Sequence, residues 1–376
     1  MRGRVLAVVV AVLVAGCTAA PGGTGSAGPA PVVLTKVELP AGSVPVVLAA
    51  AGDALLVGVR RDGQSVVPAL LRRGADGAFT DVPLTAATPY GMLATWYSLA
   101  VDGDRVLAIG GERGGAHGNV RWSAWTGTTA GVSEKLQGFS VFGGWGAGEL
   151  NDAVWTPAGP LLVGTWQSLK VGSDVAVWTA DGDTWVRQSS AGTALENTPE
   201  SLGFPLAATT TGPGVLVAGW RLAGGKQEPA VWRSTSGNTG WTAAALPDAG
   251  TTGAAVAVRC WDGACGASGW VDGKLAVWKV TDGAATRLSG APPIAVGDRD
   301  RLAAPVDVDG RLTQFVADGG RVQVAQADGA GWTVRDVSGP SGAVTAVVRV
   351  GDVVYLVAGA DDSSRTLWRV DAAALR

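Results

Sequence analysis

One short pattern recurs seven times along this 376-residue chain, and it constrains the fold more than any other feature. Each copy is an apolar stretch that ends in small residues. The copies are Leu55-Leu56-Val57-Gly58, Val106-Leu107-Ala108-Ile109-Gly110, Leu161-Leu162-Val163-Gly164 and Val215-Leu216-Val217-Ala218-Gly219, followed by Cys265-Gly266-Ala267-Ser268-Gly269, Gln314-Phe315-Val316-Ala317 and Tyr355-Leu356-Val357-Ala358-Gly359. They lie roughly 50 residues apart, a period that marks repeat architectures. An apolar strand precedes each copy, as in Val46-Val47-Leu48-Ala49-Ala50, and a Gly- or Asp-rich turn joins the two. A third strand follows a variable loop and often ends in Trp, as at Trp125, Trp178, Trp232, Trp278 and Trp368. A second turn then leads to a fourth strand, such as the one that opens at Trp332. Helical periodicity is absent throughout.

Seven units of four short strands predict an all-β chain: a seven-bladed β-propeller of four-stranded antiparallel blades. The seventh unit supplies only three strands before Arg376. Near the N-terminus, residues 33–39 read as a fourth strand with no partner upstream, so this segment completes the last blade and closes the ring. Closure removes the exposed sheet edges that an array of blades would otherwise present. An open or six-bladed ring is the alternative arrangement of the same strands.

The turn between the third and fourth strands of the fourth unit, Ser234-Thr235-Ser236-Gly237-Asn238-Thr239-Gly240-Trp241, has the spacing of SxDxGxxW, with Ser236 and Asn238 in place of the Asp and first Gly. It resembles the Asp-box of sialidase-like propellers, and 179–185 and 327–332 look like shortened versions. The resemblance covers a few turns and implies fold rather than catalysis, because the box is a structural turn in that family. The Tyr nucleophile, Arg triad and early Arg-Ile-Pro of a sialidase are not found together here.

The first residues read as an address. Arg2 and Arg4 precede a short apolar run, 5–14, too short for a bilayer span, which needs about 20 apolar residues. It ends in Leu13-Val14-Ala15-Gly16-Cys17, which resembles the bacterial lipobox. The resemblance implies a signal peptide over 1–16, lipidation of Cys17 and an extracytoplasmic protein anchored to the membrane. Residues 17–31 form an uncharged Ala/Gly/Pro/Thr/Ser tether, and 32–376 form the propeller domain. Arg outnumbers Lys, and Ala, Gly and Val dominate, which fits a GC-rich, actinobacterial genome. A net charge of −3 gives no basic surface for nucleic acid.

Cys260 and Cys265 flank Trp261-Asp262-Gly263-Ala264. Asp-Gly favours a two-residue hairpin turn. This places the two Cys opposite each other in a non-hydrogen-bonded pair, where side chains lie closest and a disulfide forms.

Catalytic chemistry finds little support. His117 is the single His, so a Ser-His-Asp or Cys-His device or a zinc site lacks partners. Asp307-Val308-Asp309-Gly310 lacks the rest of a calcium cage. No metal or cofactor is expected. Ten Asp residues precede Gly and read as turn formers, while Glu149, Asp152, Glu196, Glu200 and Glu228 lie outside such turns.

Trp is abundant, with 16 copies, most of them at repeat positions suited to packing between blades. Trp145 departs from that pattern, in a glycine-rich segment that also holds Phe139 and Phe142. The longest connections, 85–97, 111–121, 138–152, 165–175, 190–205 and 220–229, belong to one face of units two to four. They gather Tyr90, Trp96, Tyr97, His117, Trp145, Glu149, Trp166, Lys170, Trp220 and Arg221. Aromatics mixed with a few charges suit recognition of protein or sugar. A monomeric, non-catalytic envelope-binding or scaffold protein is therefore expected, whose partner is an envelope protein or glycan. A saccharide-acting hydrolase or lyase using Glu and Asp of the central funnel is the alternative.

Overall fold

Seven four-stranded antiparallel blades follow one another along the chain, six built from consecutive strands and the seventh completed by a strand from the N-terminal segment. The computed structural model describes residues 30–376 except 116, 117, 262 and 330. The signal segment, most of the tether, Cys17 and His117 thus lie outside the described residues. Residues 31–376 form one compact unit. Blade 1 spans 43–82, blade 2 95–134, blade 3 148–187, blade 4 201–245, blade 5 253–287, blade 6 306–341 and blade 7 343–371. The innermost strands of neighbouring blades lie side by side around a central channel lined by all seven blades. The expected seven-bladed propeller is the fold observed.

The ring closes as expected, with a refinement. Thr35–Val37 adds the outermost strand of blade 7, pairing antiparallel with Thr366–Asp371 in the register Thr35 to Arg369 and Val37 to Leu367. The two residues before it do something the sequence did not announce. Val32–Val33 pairs in parallel with the outer strand of blade 6, opposite Val337 and Ser338. One short segment therefore fastens two blades.

The repeated glycine has a specific cause. In six blades the innermost strand carries a β-bulge, whose extra residue is Val46, Tyr97, Asn151, Leu206, Val256 or Thr345. A bulge sets two residues against one and bends the strand. In blades 2 to 5 the second-strand glycine, Gly110, Gly164, Gly219 or Gly269, pairs with the residue just before the bulge. A Cβ on Gly164 would meet Glu149 O at 1.9 Å, and one on Gly269 would meet Ala254 O at 1.9 Å. Only glycine admits that backbone approach.

The third-strand Trp residues pack between blades. Trp125, Trp178 and Trp278 are fully buried, and Trp232 nearly so. Their indole N–H groups find acceptors: Trp125 donates to Ser123 Oγ, Trp178 to Val141 O and Trp278 to Pro247 O, each at 2.9 Å. The Asp-box-like turn is a compact structural element. Ser234 is buried and donates to Gly237 O at 2.6 Å, while the Trp241 indole donates to Asn238 O at 2.7 Å. The expected disulfide joins Cys260 and Cys265, paired across the first two strands of blade 5. A disulfide belongs to an oxidising compartment. No helix among the described residues is long and apolar enough to cross a membrane.

Candidate functional site

Strand direction alternates within each blade, so blade-to-blade and second-to-third-strand connections share one face. Several connections on that face are shorter than their sequence suggests, because strands extend into them. Arg105–Gly114 and Asn119–Thr128 continue as a hairpin through most of 111–121. Likewise Val215–Ala223 and Lys226–Arg233 leave only two residues of 220–229 outside a strand.

The face is built most distinctively where blade 2 meets blade 3. Residues 86–94 enter blade 2 through a single helical turn, Pro89–Met92, capped by Thr88, whose Oγ1 accepts from Gly91 N–H at 2.9 Å. Buried Glu134 fixes this entry. Its carboxylate accepts from Ala87 N–H at 2.6 Å, Thr88 N–H at 2.8 Å and the Thr88 hydroxyl at 2.7 Å. The helical turn presents Tyr90 beside Arg121, whose guanidinium lies 6.0 Å from the Tyr90 ring and 4.8 Å from that of Phe139. Phe139 meets Trp145 edge to face at 4.9 Å. A cleft of about 140 Å³ runs between blade 2 and the 135–147 connection, lined by Tyr90, Arg121, Trp122, Glu134 and Phe139 among others. Trp145 is 67% exposed and Phe139 52%. Tyr97, the bulge residue of blade 2, lies at the channel mouth against Trp122 at 4.8 Å, 45% exposed, and burial of its other side pushes the phenol up.

The other expected site residues divide. Trp96 is a correction. It is 4% exposed, donates its indole N–H to Ala69 O of blade 1 at 3.0 Å and packs on Trp125, so it is core and presents no face. Trp166 is half-buried between Trp178 and the Arg187 guanidinium, 4.5 Å from its ring. Trp220 stacks on Phe204 at 3.9 Å and is half-buried. Lys170 pairs with Glu196, in the connection from blade 3 to blade 4, at 2.9 Å and Arg221 with Glu228 at 2.6 Å, so these charges already have partners. Glu149 is exposed near the start of the innermost strand of blade 3. The structure thus joins Tyr90 and Trp145 through Arg121 and Phe139. Those two linking residues were missing from the sequence selection. Phe139 could have been found by its place off the repeat, whereas Arg121 has no sequence signal.

The channel is a second feature, with a volume of about 1170 Å³. Its carboxylates include Asp102, Asp152 and Asp307. Asp152 ties three blades together. It accepts from the Ser98 hydroxyl of blade 2 at 2.5 Å, from Ala153 N–H at 2.9 Å and from Ala208 N–H of blade 4 at 2.7 Å. Burial pushes its carboxyl up, and these hydrogen bonds oppose that shift. Asp102 pairs with Arg105, and Asp307 accepts from Gly310 N–H at 3.2 Å. Among the described residues, no group of three or more His, Cys, Asp or Glu is placed to hold a metal ion.

No family model matches the chain, and no curated protein matches it in sequence. Solved structures match it at low identity. A structure of YCF48 bound to a D1 peptide superposes with a TM-score of 0.53 at 12% identity, covering 90% of this chain and 96% of that one. The polysaccharide lyase Uly1 gives 0.51 at 14%, covering 87% and 89%. A prolyl endopeptidase gives 0.53 at 15% over 88% of this chain, which spans only 48% of that enzyme's length. At these identities the likeness shows the fold alone, and one propeller fold serves peptidases, lyases and binding proteins.

Proposed function

We propose that this protein is a non-catalytic binding or scaffold lipoprotein of the cell envelope, anchored through Cys17, that recognises an envelope protein or glycan on the face of blades 2 and 3. One observation carries the proposal. Of thirteen large hydrophobic side chains exposed among the described residues, seven belong to the entry into blade 2, the bulge of its innermost strand and the connection from blade 2 to blade 3: Tyr90, Met92, Leu93, Tyr97, Leu136, Phe139 and Trp145. Concentrated exposed apolar surface marks an interaction site. The aliphatic members favour a protein partner over a sugar, because sugars stack on flat aromatic faces. Aromatic and Arg anchors are the groups that dominate protein interfaces. A peptide-bound propeller that matches most of both chains, YCF48, is an example of this fold used for binding.

The saccharide-hydrolase alternative requires a free acid and base about 5 to 9 Å apart in the funnel. Asp102, Asp152 and Asp307 each have a partner, which argues against that role.

Two experiments test the proposal. Full-length protein is immobilised and challenged with fractionated envelope, in parallel with a Phe139→Ala/Trp145→Ala variant. Specific retention of a protein or polysaccharide that the variant loses supports the rim; equal retention by both refutes it. Cys17→Ala should release the protein from membranes, and persistent membrane association would remove the lipid anchor.

A further inference from the structure

The bulges give every innermost strand but that of blade 6 a common frame around the channel. One residue past the bulge, five blades carry Val47, Ser98, Ala207, Ala257 and Ala346, and blade 3 carries Asp152. Three residues past it, five blades carry Ala49, Ala100, Val154, Thr209 and Val348, and blade 5 carries Arg259. The fold therefore requires no charge at either level. Asp152 has a structural use, since both of its oxygens hold neighbouring strands.

Arg259 has no such use. Its guanidinium lines the channel and forms neither a hydrogen bond nor an ion pair with any described residue, and its Nη1 is buried without a partner. Burial pushes its pKa down to about 10, partly offset by the field of Asp152, so it stays a cation at neutral pH. A partly buried charge without hydrogen bonds is costly. Two further polar atoms of channel-lining residues are buried without partners, Asn151 Oδ1 on blade 3 and Thr345 Oγ1 on blade 7, and both belong to bulge residues.

We propose that the channel binds a small monoanion that carries a carboxylate next to an N–H or O–H donor, with the carboxylate on Arg259 and the donor on Asn151 Oδ1 or Thr345 Oγ1. A guanidinium fork matches a carboxylate in two parallel hydrogen bonds. Of the two channel arginines, Arg349 is already paired with Asp309, and one unpartnered guanidinium near the carboxylates of Asp102, Asp152 and Asp307 suits one negative charge and disfavours a dianion. The channel is of a size that takes small ligands. This site is separate from the aromatic rim and stands whether or not rim variants lose their partner.

Calorimetric titration of the full-length protein tests it, with N-acetylglycine as the acid with an N–H, glucuronate as the acid with hydroxyls, and N-acetylglycinamide as the neutral control. Saturable binding of either acid in the millimolar range or tighter is expected, with none for the amide. Arg259→Gln should weaken it at least tenfold and Asn151→Ala severalfold. Arg349→Gln, which removes the other channel arginine, already paired with Asp309, should leave it unchanged. If Arg259→Gln does not fold, the acid-against-amide comparison and Asn151→Ala still decide. Absence of acid binding, equal binding of the amide, or binding that survives Arg259→Gln would each overturn the site and leave channel water as the occupant of these groups.

Discussion

The aromatic residues between blades and those on the rim of blades 2 and 3 belong to the same chemical type and have opposite situations. Trp125, Trp178 and Trp278 are fully enclosed, occupy the same third-strand position in blades 2, 3 and 5 and have their indole N–H groups satisfied. Phe139 and Trp145 follow no repeat, contact each other edge to face and leave more than half of their surface in water. The first set is explained by packing. The second is largely exposed, and packing within the ring does not account for it. Side-chain type alone does not separate the two sets; burial does.

That contrast can be broken by graded substitutions. Trp178→Ala, at a fully buried contact between blades 2 and 3, should cost about 3–5 kcal/mol, read as a lowered denaturation midpoint. A loss below about 1 kcal/mol would mean that the inter-blade Trp residues are not the main packing element. Glu134→Ala is expected to fall between the two classes. It leaves Ala87 N–H, Thr88 N–H and the Thr88 hydroxyl without their acceptor, at roughly 1–3 kcal/mol, and should speed amide exchange across 87–93 while sparing the other blades. Exchange unchanged in that segment would show that the entry helix stands without Glu134. The smallest effect on stability belongs to Phe139→Ala/Trp145→Ala, within about 0.5 kcal/mol as for other exposed positions. A larger loss would move these rings into the core class and remove the basis for a docking surface.

Most of the ring was legible because a repeat shows itself many times over. The second-strand glycines, the third-strand Trp residues and the Asp-Gly hairpin of Cys260 and Cys265 each follow from local rules that hold wherever the chain repeats. The rim was legible only in outline. Trp145 stands out because it lies off the period, whereas Trp96 carries the same signal and is core, since its ring turns toward blade 1 rather than outward. Strand extension was hidden too: 111–121 reads as a loop from its glycines, yet Gly111 pairs within a hairpin, where Tyr97 and Trp122 close over it. The channel escaped because its distinctive residue appears only after the strands are aligned on a bulge. The bulge is a three-dimensional offset, and the sequence shows only the glycine opposite it.

The double attachment of the N-terminal segment has a mechanical consequence. Two residue pairs hold Val32–Val33 to blade 6 and three hold Thr35–Val37 to blade 7. A pull applied at the N-terminus is therefore delivered first to the parallel clip on blade 6 and only then to the strand that completes blade 7. The load meets the ring at its seam, where yielding of a few hydrogen bonds would uncover a sheet edge before any other blade felt the force.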